Sequence, residues 1–364
     1  MIREEDSKRI TALRFLLAFG VVVIHNCFRS APEIFGKEAV FNQNLFGKWI
    51  QLLFSQGIFR CGVPLFFLFA SFLQAKKGDS YAILLKKRAK SLLLPYFIWL
   101  CIYFVYPHLI KLLLIFLRPS LINHPETSVL NWHISDWFHF VFGYGALDAH
   151  GDIGLPLFAL QFWFVRDLMI LILISPAINF AIRRFPRGYF LLTAFLLFCP
   201  VKNLIVIRTQ SLFFYSLGLY WAIYEFSLFE KIDEVSWLEA ILFFALTFFV
   251  TWLFYDKLDT SYWFMNIAAG ILLLKFSKNI AEKERSFALA KFLAPYSFFL
   301  YAIHIFLLSI IRPLWVFAFP MKNAFFCLFE YFGATILTVF LSLAIGIALK
   351  KICPPLFRIL NGGR

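Results

Sequence analysis

An apolar segment long enough to cross a bilayer opens this chain, and it carries an arginine and a histidine inside it. Between Ile10 and His25 the sequence is hydrophobic apart from Thr11, Arg14 and His25 itself. Eleven residues at about 100° each bring His25 to within about 20° of Arg14 around a helix, about 16 Å further along it. An ionisable side chain at membrane depth costs a few kcal/mol or more, so it has to face a bundle interior or a wet cavity. The segment therefore puts a permanent cation near one membrane surface and a titratable imidazole near the other, along one polar path. The pair reads as functional.

The rest of the chain must supply the bundle that hides these groups. Hydrophobic residues make up 61% of the sequence, aromatic ones 20% and charged ones 15%, with a mean hydropathy of +0.78. A soluble domain is roughly half apolar and about a quarter charged, so this protein is solvated by lipid. Apolar stretches at about 10–28, 52–74, 92–117, 157–180, 189–207, 210–226, 237–255, 262–277, 293–311 and 326–349 predict an all-α polytopic membrane protein of about ten transmembrane helices. The sixth and eighth are short.

The net charge of +14 would suit a nucleic-acid partner in a soluble protein, but here it follows topology. With the N-terminus inside, 22 basic residues fall on inner segments and 9 on outer ones, which predicts N-in, C-in. The one weak inner loop, 226–236, is acidic. No nucleic-acid partner is expected; the excess charge faces anionic headgroups. The six cysteines form no CxxC pair and read as buried thiols. No cleavable signal peptide, domain boundary or internal repeat is evident, so residues 1–364 are expected to form a single membrane domain with no appended soluble domain. Its longest polar insertion is an outer loop at about 118–156, rich in His, Trp, Asp and Gly.

Five segments in register resemble one family, the integral-membrane acyltransferases of the acyltransferase-3 type, which O-acylate cell-surface sugars. Arg14 and His25 match its Arg, ten residues, His signature. Gly62-Val-Pro-Leu-Phe-Phe-Leu-Phe-Ala-Ser-Phe-Leu73 resembles its VPLFFxxSGF segment, with Ala70-Ser71 in place of Ser-Gly. Lys86-Lys-Arg-Ala-Lys-Ser-Leu-Leu-Leu-Pro-Tyr96 is similar to its basic cytoplasmic loop. Phe162-Trp-Phe-Val-Arg-Asp-Leu168 with Ser175-Pro176 is similar to its WFLRDL…SP span, and Tyr296 to His304 to its YSxxxYxxH span. The resemblance covers all ten stretches in order.

The resemblance implies a membrane O-acetyltransferase that takes acetyl-CoA or another acyl-CoA from the cytoplasm and a glycan or lipid-linked sugar hydroxyl as acceptor, in a bacterial inner membrane. The residues are compatible. Transfer from a thioester to a hydroxyl needs a base and an anchor for the donor phosphates. His25 is the candidate base, against the alternative of a helix-packing histidine. Arg14 is a candidate catalytic and donor-binding residue, placed to bind a coenzyme A phosphate or fix a carboxylate, against the alternative of a snorkelling cation. Lys87, Arg88 and Lys90 form a natural anion clamp, although positive-inside loops look like this in any membrane protein.

Arg166 and Asp167 are adjacent in an apolar run. Neighbours on a helix diverge by about 100°, so each is expected to pair with another span, Arg14, Arg60 and Glu330 being candidates. His304 lies one turn beyond Tyr301 and is a second candidate catalytic residue, or a satisfied buried histidine. Trp132, Trp137 and Trp163, with Arg166 and Asp167, are candidates for binding the acceptor sugar. The loop residues His124, His133, His139, His150 and Asp152 fit no ligand spacing, so no metal is expected. No Ser or Cys stands beside His25 as a nucleophile, which favours direct transfer. The rivals are a transporter or flippase of an acyl or glycan substrate, and a non-catalytic subunit of a polysaccharide-modifying complex.

Overall fold

A computed structural model describes residues 2–27, 45–117, 133–134, 141, 157–199, 203–204, 206–253, 259–319 and 323–363, which are almost entirely helical. Helix α1 is Glu4–His25. Helix α2 (Leu45–Leu52) runs through a π turn at Leu53–Ile58 and a 3-10 turn at Phe59–Cys61 into α3 (Gly62–Lys77). Helix α4 (Tyr81–Arg88) passes through a second π turn, Ala89–Leu93, into α5 (Leu94–Leu117). A 3-10 turn at Leu157–Phe162 precedes α6 (Trp163–Leu173), α7 (Ser175–Arg184) and α8 (Pro186–Phe198). A two-residue hairpin pairs β1 (Asn203–Leu204) antiparallel with β2 (Ile207–Arg208). There follow α9 (Thr209–Ile223), α10 (Glu230–Glu234), α11 (Trp237–Leu253), α12 (Asp259–Glu282) and α13 (Glu284–Leu293). Helices α14 (Ser297–Ala318), α15 (Ala324–Ile352) and α16 (Pro354–Leu360) complete the chain.

Each of the ten apolar stretches contains helix among its described residues, but the fourth is a 3-10 turn and two helices, and the fifth leaves its helix at Phe198 and ends in the hairpin. Among the described residues, five continuous helical runs are long and apolar enough to cross a membrane, or six if the bent pair α6–α7 is one span. Helices α8 and α11 are apolar but shorter. Helix α1 is outside that set because any 18-residue stretch of it holds Lys8, Arg9 and Arg14. The α6–α7 bend of 62° falls at Ile174-Ser175-Pro176. Proline at a first helical turn lacks only an N–H that would be unbonded anyway, so a new helix axis starts there at little cost. All six cysteines are free; Cys27, Cys61 and Cys327 are buried, but Cys101 is exposed on α5, correcting the expectation for that thiol.

Helix α1 sits at the centre and packs against α3, α12, α13, α14, α15 and the π turn that follows α2. Helices α3 and α9 approach most closely at Gly218, where a Cβ would overlap the Ser71 hydroxyl and the Leu68 carbonyl. Ser71, in the place where the resembled motif carries glycine, is thus a packing residue: its buried hydroxyl donates to the Leu68 carbonyl at 3.1 Å.

Two polar clamps fix the ends that frame the site. At the C-terminus, the fully buried Asn361 accepts from the Phe299 N–H at 3.0 Å and donates to the Pro295 carbonyl at 2.6 Å. It replaces the backbone bond that would join those residues within one turn, holding open the helix start beside Ser297. At the N-terminus, the fully buried Arg9 forks onto Asp233 (Nη1–Oδ2 2.6 Å, Nη2–Oδ1 2.9 Å). It also donates to the Leu274 carbonyl and the Ser277 hydroxyl, with its guanidinium 4.0 Å from the Phe229 ring centre. Arg3 pairs with Glu230 nearby. The acidic loop 226–236 therefore lies at the same end of the bundle as the N-terminus, held by pairs that a charge count does not see.

Partial burial pushes the Asp233 carboxyl up, but the hydrogen bonds and charge of Arg9, with Lys278 and Lys275 behind, outweigh it and hold it below the usual carboxylate range. The stabilisation is thus present at neutral pH and lost as pH falls through the depressed value. Asp233→Asn, which removes the charge facing Arg9, should cost about 1–3 kcal/mol at neutral pH. Thermal unfolding of both proteins in detergent should show the gap unchanged in mild acid and narrowing only below the ordinary carboxyl value of 3.8; equal melting at neutral pH would mean that the clamp carries little.

Candidate active site

Arg14 opens into a cavity of about 320 Å³ between α1, α3, α4, α6 and α14. Lys77 from the end of α3, Arg88 from the end of α4 and the Ser297 hydroxyl line it with Arg14, and no carboxylate does. The π turn at Ala89–Leu93 begins immediately after Arg88, where the extra residue of a π turn re-aims the chain. Phe66, Phe69, Ala70, Phe164 and Tyr301 supply the apolar wall. Among the described residues, Arg14 and Arg88 make no ion pair, in contrast to Arg9. The cavity therefore has a cationic mouth and an aromatic inner end.

Tyr301 closes that inner end. Its hydroxyl donates to the Gln161 carbonyl, and its ring lies edge-on to Phe162 and Phe164, each at 5.8 Å. Its own carbonyl meets Nδ1 of His304 at 2.7 Å. His304 is completely buried, and its ring centre is 5.1 Å from that of His25, with the planes tilted by 48°. Arg14 and His25 thus meet the same neighbour, α14, at two heights: Arg14 shares the cavity with Ser297 and Tyr301, and His25 lies against His304.

The acid-base pair on α6 does not behave as expected. Arg166 and Asp167 bond each other, with Nη2–Oδ1 at 2.8 Å and Nε–Oδ1 at 3.1 Å. The divergence of about 100° applies to the Cα–Cβ bonds, and a long arginine chain curls across it when no water competes for the charge. The other Asp167 oxygen accepts from the Ser211 hydroxyl at 2.8 Å and the Arg208 backbone N–H at 3.1 Å. The Arg208 guanidinium covers the Trp163 ring at 3.8 Å. The suggested partners are engaged elsewhere: Arg60 donates to the Tyr262 hydroxyl, and Glu330 pairs with Arg312 at 3.2 Å.

The structure brings Arg14 and Arg88 together but leaves Lys87 and Lys90 at the surface, with Lys87 bonded to Asp79 at 2.6 Å. Lys77, Tyr301 and Arg208 were not singled out from the sequence. Lys77 ends an apolar span beside Lys76, and Arg208 reads as an outer-loop charge; only packing reveals either as part of this region. Trp132 and Trp137, and most of the outer loop, lie outside the described residues. No group of three or more His, Cys, Asp or Glu side chains able to hold a metal occurs among the described residues.

Comparison with known proteins gives the same direction. The chain is 25% identical to the succinoglycan biosynthesis protein ExoH of Rhizobium meliloti (strain 1021) over 368 residues, covering 98% of this chain and 92% of that protein. No solved structure matches. The family model described as an acyltransferase domain, of the acyltransferase-3 type, matches residues 7–350, nearly the whole chain including α1 and α14. The chain belongs to the acyltransferase-3 family.

Proposed function

We propose that this protein is a membrane O-acyltransferase that moves an acyl group, most simply acetyl, from cytoplasmic acyl-CoA to a hydroxyl of an envelope or lipid-linked glycan. The observation that carries this reading is the arrangement along α1: a cavity with three cations and no carboxylate at one height, and a pair of imidazoles at another. A partly buried guanidinium without a counter-charge is costly in an apolar bundle, so a bound anion completes the site. The phosphates of acyl-CoA are such an anion. The aromatic wall beyond them suits the pantetheine arm, with the nucleotide end left at the mouth beside Lys77 and Arg88.

His25 lies about 16 Å along α1 from Arg14, where the thioester would arrive. In this reading His25 takes the proton of the acceptor hydroxyl as its oxygen bonds the thioester carbon. The carbon–sulfur bond breaks and the proton passes on to the departing thiolate. Trp163 under Arg208, braced by the Arg166–Asp167 pair, belongs to the acceptor side with Trp132 and Trp137 of the outer loop. A ten-span, N-in, C-in arrangement in a bacterial inner membrane is the topology that suits a cytoplasmic donor. The inward bias of basic residues supports it, as does the shared end of the N-terminus and loop 226–236. The name of the bacterial relative supports a glycan acceptor.

Calorimetry with acetyl-CoA on purified protein tests the donor site. Arg14→Gln and Arg88→Gln should each weaken binding about 10- to 100-fold, the loss of a charge-assisted hydrogen bond of about 1.5–3 kcal/mol. Unchanged affinity in both would remove the cavity from the donor path. His25→Ala should bind the donor within about threefold of wild type while kcat falls by about 100-fold or more. A His25→Ala enzyme that still turns over would assign the base elsewhere.

A further inference from the structure

His304 is completely buried and its two ring nitrogens are in opposite situations. Nδ1 faces the Tyr301 carbonyl at 2.7 Å, and a carbonyl oxygen can only accept, so Nδ1 carries a proton. In the neutral ring Nε2 is then a bare acceptor, and among the described residues nothing donates to it. A buried acceptor left unbonded costs about 1–3 kcal/mol; Gln161 Oε1 and Glu330 Oε2 are likewise without a hydrogen-bond donor among the described residues, so what sets His304 Nε2 apart is the ring that lies against it. The ring next to it is His25, at 5.1 Å between centres. With each imidazole nitrogen about 1.2 Å from its ring centre, two nitrogens turned onto the line of centres would stand about 2.7 Å apart, which is hydrogen-bond range. As they stand the two rings share no hydrogen bond at His304 Nε2, so the contact needs a turn of the His25 ring about its Cβ–Cγ bond.

We propose that His304 is the positioning residue of the transfer, and that it acts through His25. Its bare Nε2 accepts a hydrogen bond from one N–H of His25, which fixes the His25 tautomer and leaves the other nitrogen free to take the acceptor's proton. When His25 gains that proton, the same bond spreads the new positive charge over two rings. No proton leaves the pair by this route: the one taken from the acceptor still departs from His25 to the thiolate. The Tyr301 carbonyl is what prevents the reverse tautomer, so the order along the chain is Tyr301, His304, His25, acceptor. The inference rests on His25 being the base.

The test compares His304→Gln and His304→Leu, because a glutamine amide oxygen reaches the place of Nε2 and accepts but cannot titrate. His304→Leu should fold, bind acetyl-CoA within about threefold of wild type, keep both KM values and lose kcat by at least about 100-fold. His304→Gln should restore kcat to within about tenfold of wild type. A His304→Leu enzyme with normal kcat overturns the proposal, and so does a His304→Gln enzyme as inactive as the leucine variant. A readout on the wild-type protein needs neither variant to be active. Histidine ¹⁵N spectra of the labelled chain, with its seven histidines and His304 identified by its absence from either variant, should show a protonated Nδ1 and a bare Nε2. A proton on Nε2 overturns the proposal whether or not turnover is observed. If the wild type transfers no acyl group, the proposed function fails and the role of His304 in it with it, while a proton found on Nε2 would overturn the tautomer argument independently.

Discussion

A charge inside an apolar bundle is costly until something neutralises it, and the organisation of this protein follows from how each buried cation is treated. Arg9 is fully bonded to Asp233, a carbonyl, a hydroxyl and an aromatic face. Arg166 is closed on Asp167, and Arg312 on Glu330. Arg9 and Arg312 fasten separate segments together, and the Arg166–Asp167 pair is tied to its neighbours by the other Asp167 oxygen, which accepts from Ser211 and Arg208. Arg14 and Arg88 instead line a cavity that holds no carboxylate. The contrast within one bundle is the basis for the proposal that Arg14 and Arg88 serve a ligand.

The same contrast applies to hydrogen bonding along α14. Tyr301 uses its hydroxyl on Gln161 and its carbonyl on His304, so it is spent on structure and forms the wall between the cavity and the imidazoles. His304 is half spent, with one nitrogen engaged and the other not. Helix α1 crosses both levels, so small movements of α1 against α14 would alter the Arg14 cavity and the imidazole pair together. The clamps at Arg9 and Asn361 hold those two helices at their ends, which is where rigidity has to come from when the middle of the interface is polar.

Much of this was legible in the sequence, for physical reasons that can be stated. The apolar stretches are mostly helical because a lipid-solvated chain has few other ways to satisfy its backbone. The Arg14–His25 spacing translated directly, since helical geometry fixes the relative direction of two side chains on one helix. What the spacing could not give was any contact made by a long side chain. Arg166 reaches its own neighbour, and Lys87 turns out to Asp79 while Arg88, one residue on, turns in. The Arg208–Trp163 stack depends on a two-residue hairpin that no periodicity announces. Asn361, near the chain's end, carries no pattern at all, yet it bonds both sides of the break before α14.

A structure of the protein in a nanodisc with bound acetyl-CoA would test the central claim, that one face of α1 carries the donor from a cationic cavity to a pair of imidazoles. The expected result is phosphate density within hydrogen-bond distance of Arg14 and Arg88, with the thioester past Tyr301 beside His25. A donor seated away from that cavity, or one whose acyl carbon lies on the far side of the bundle from His25, would contradict it.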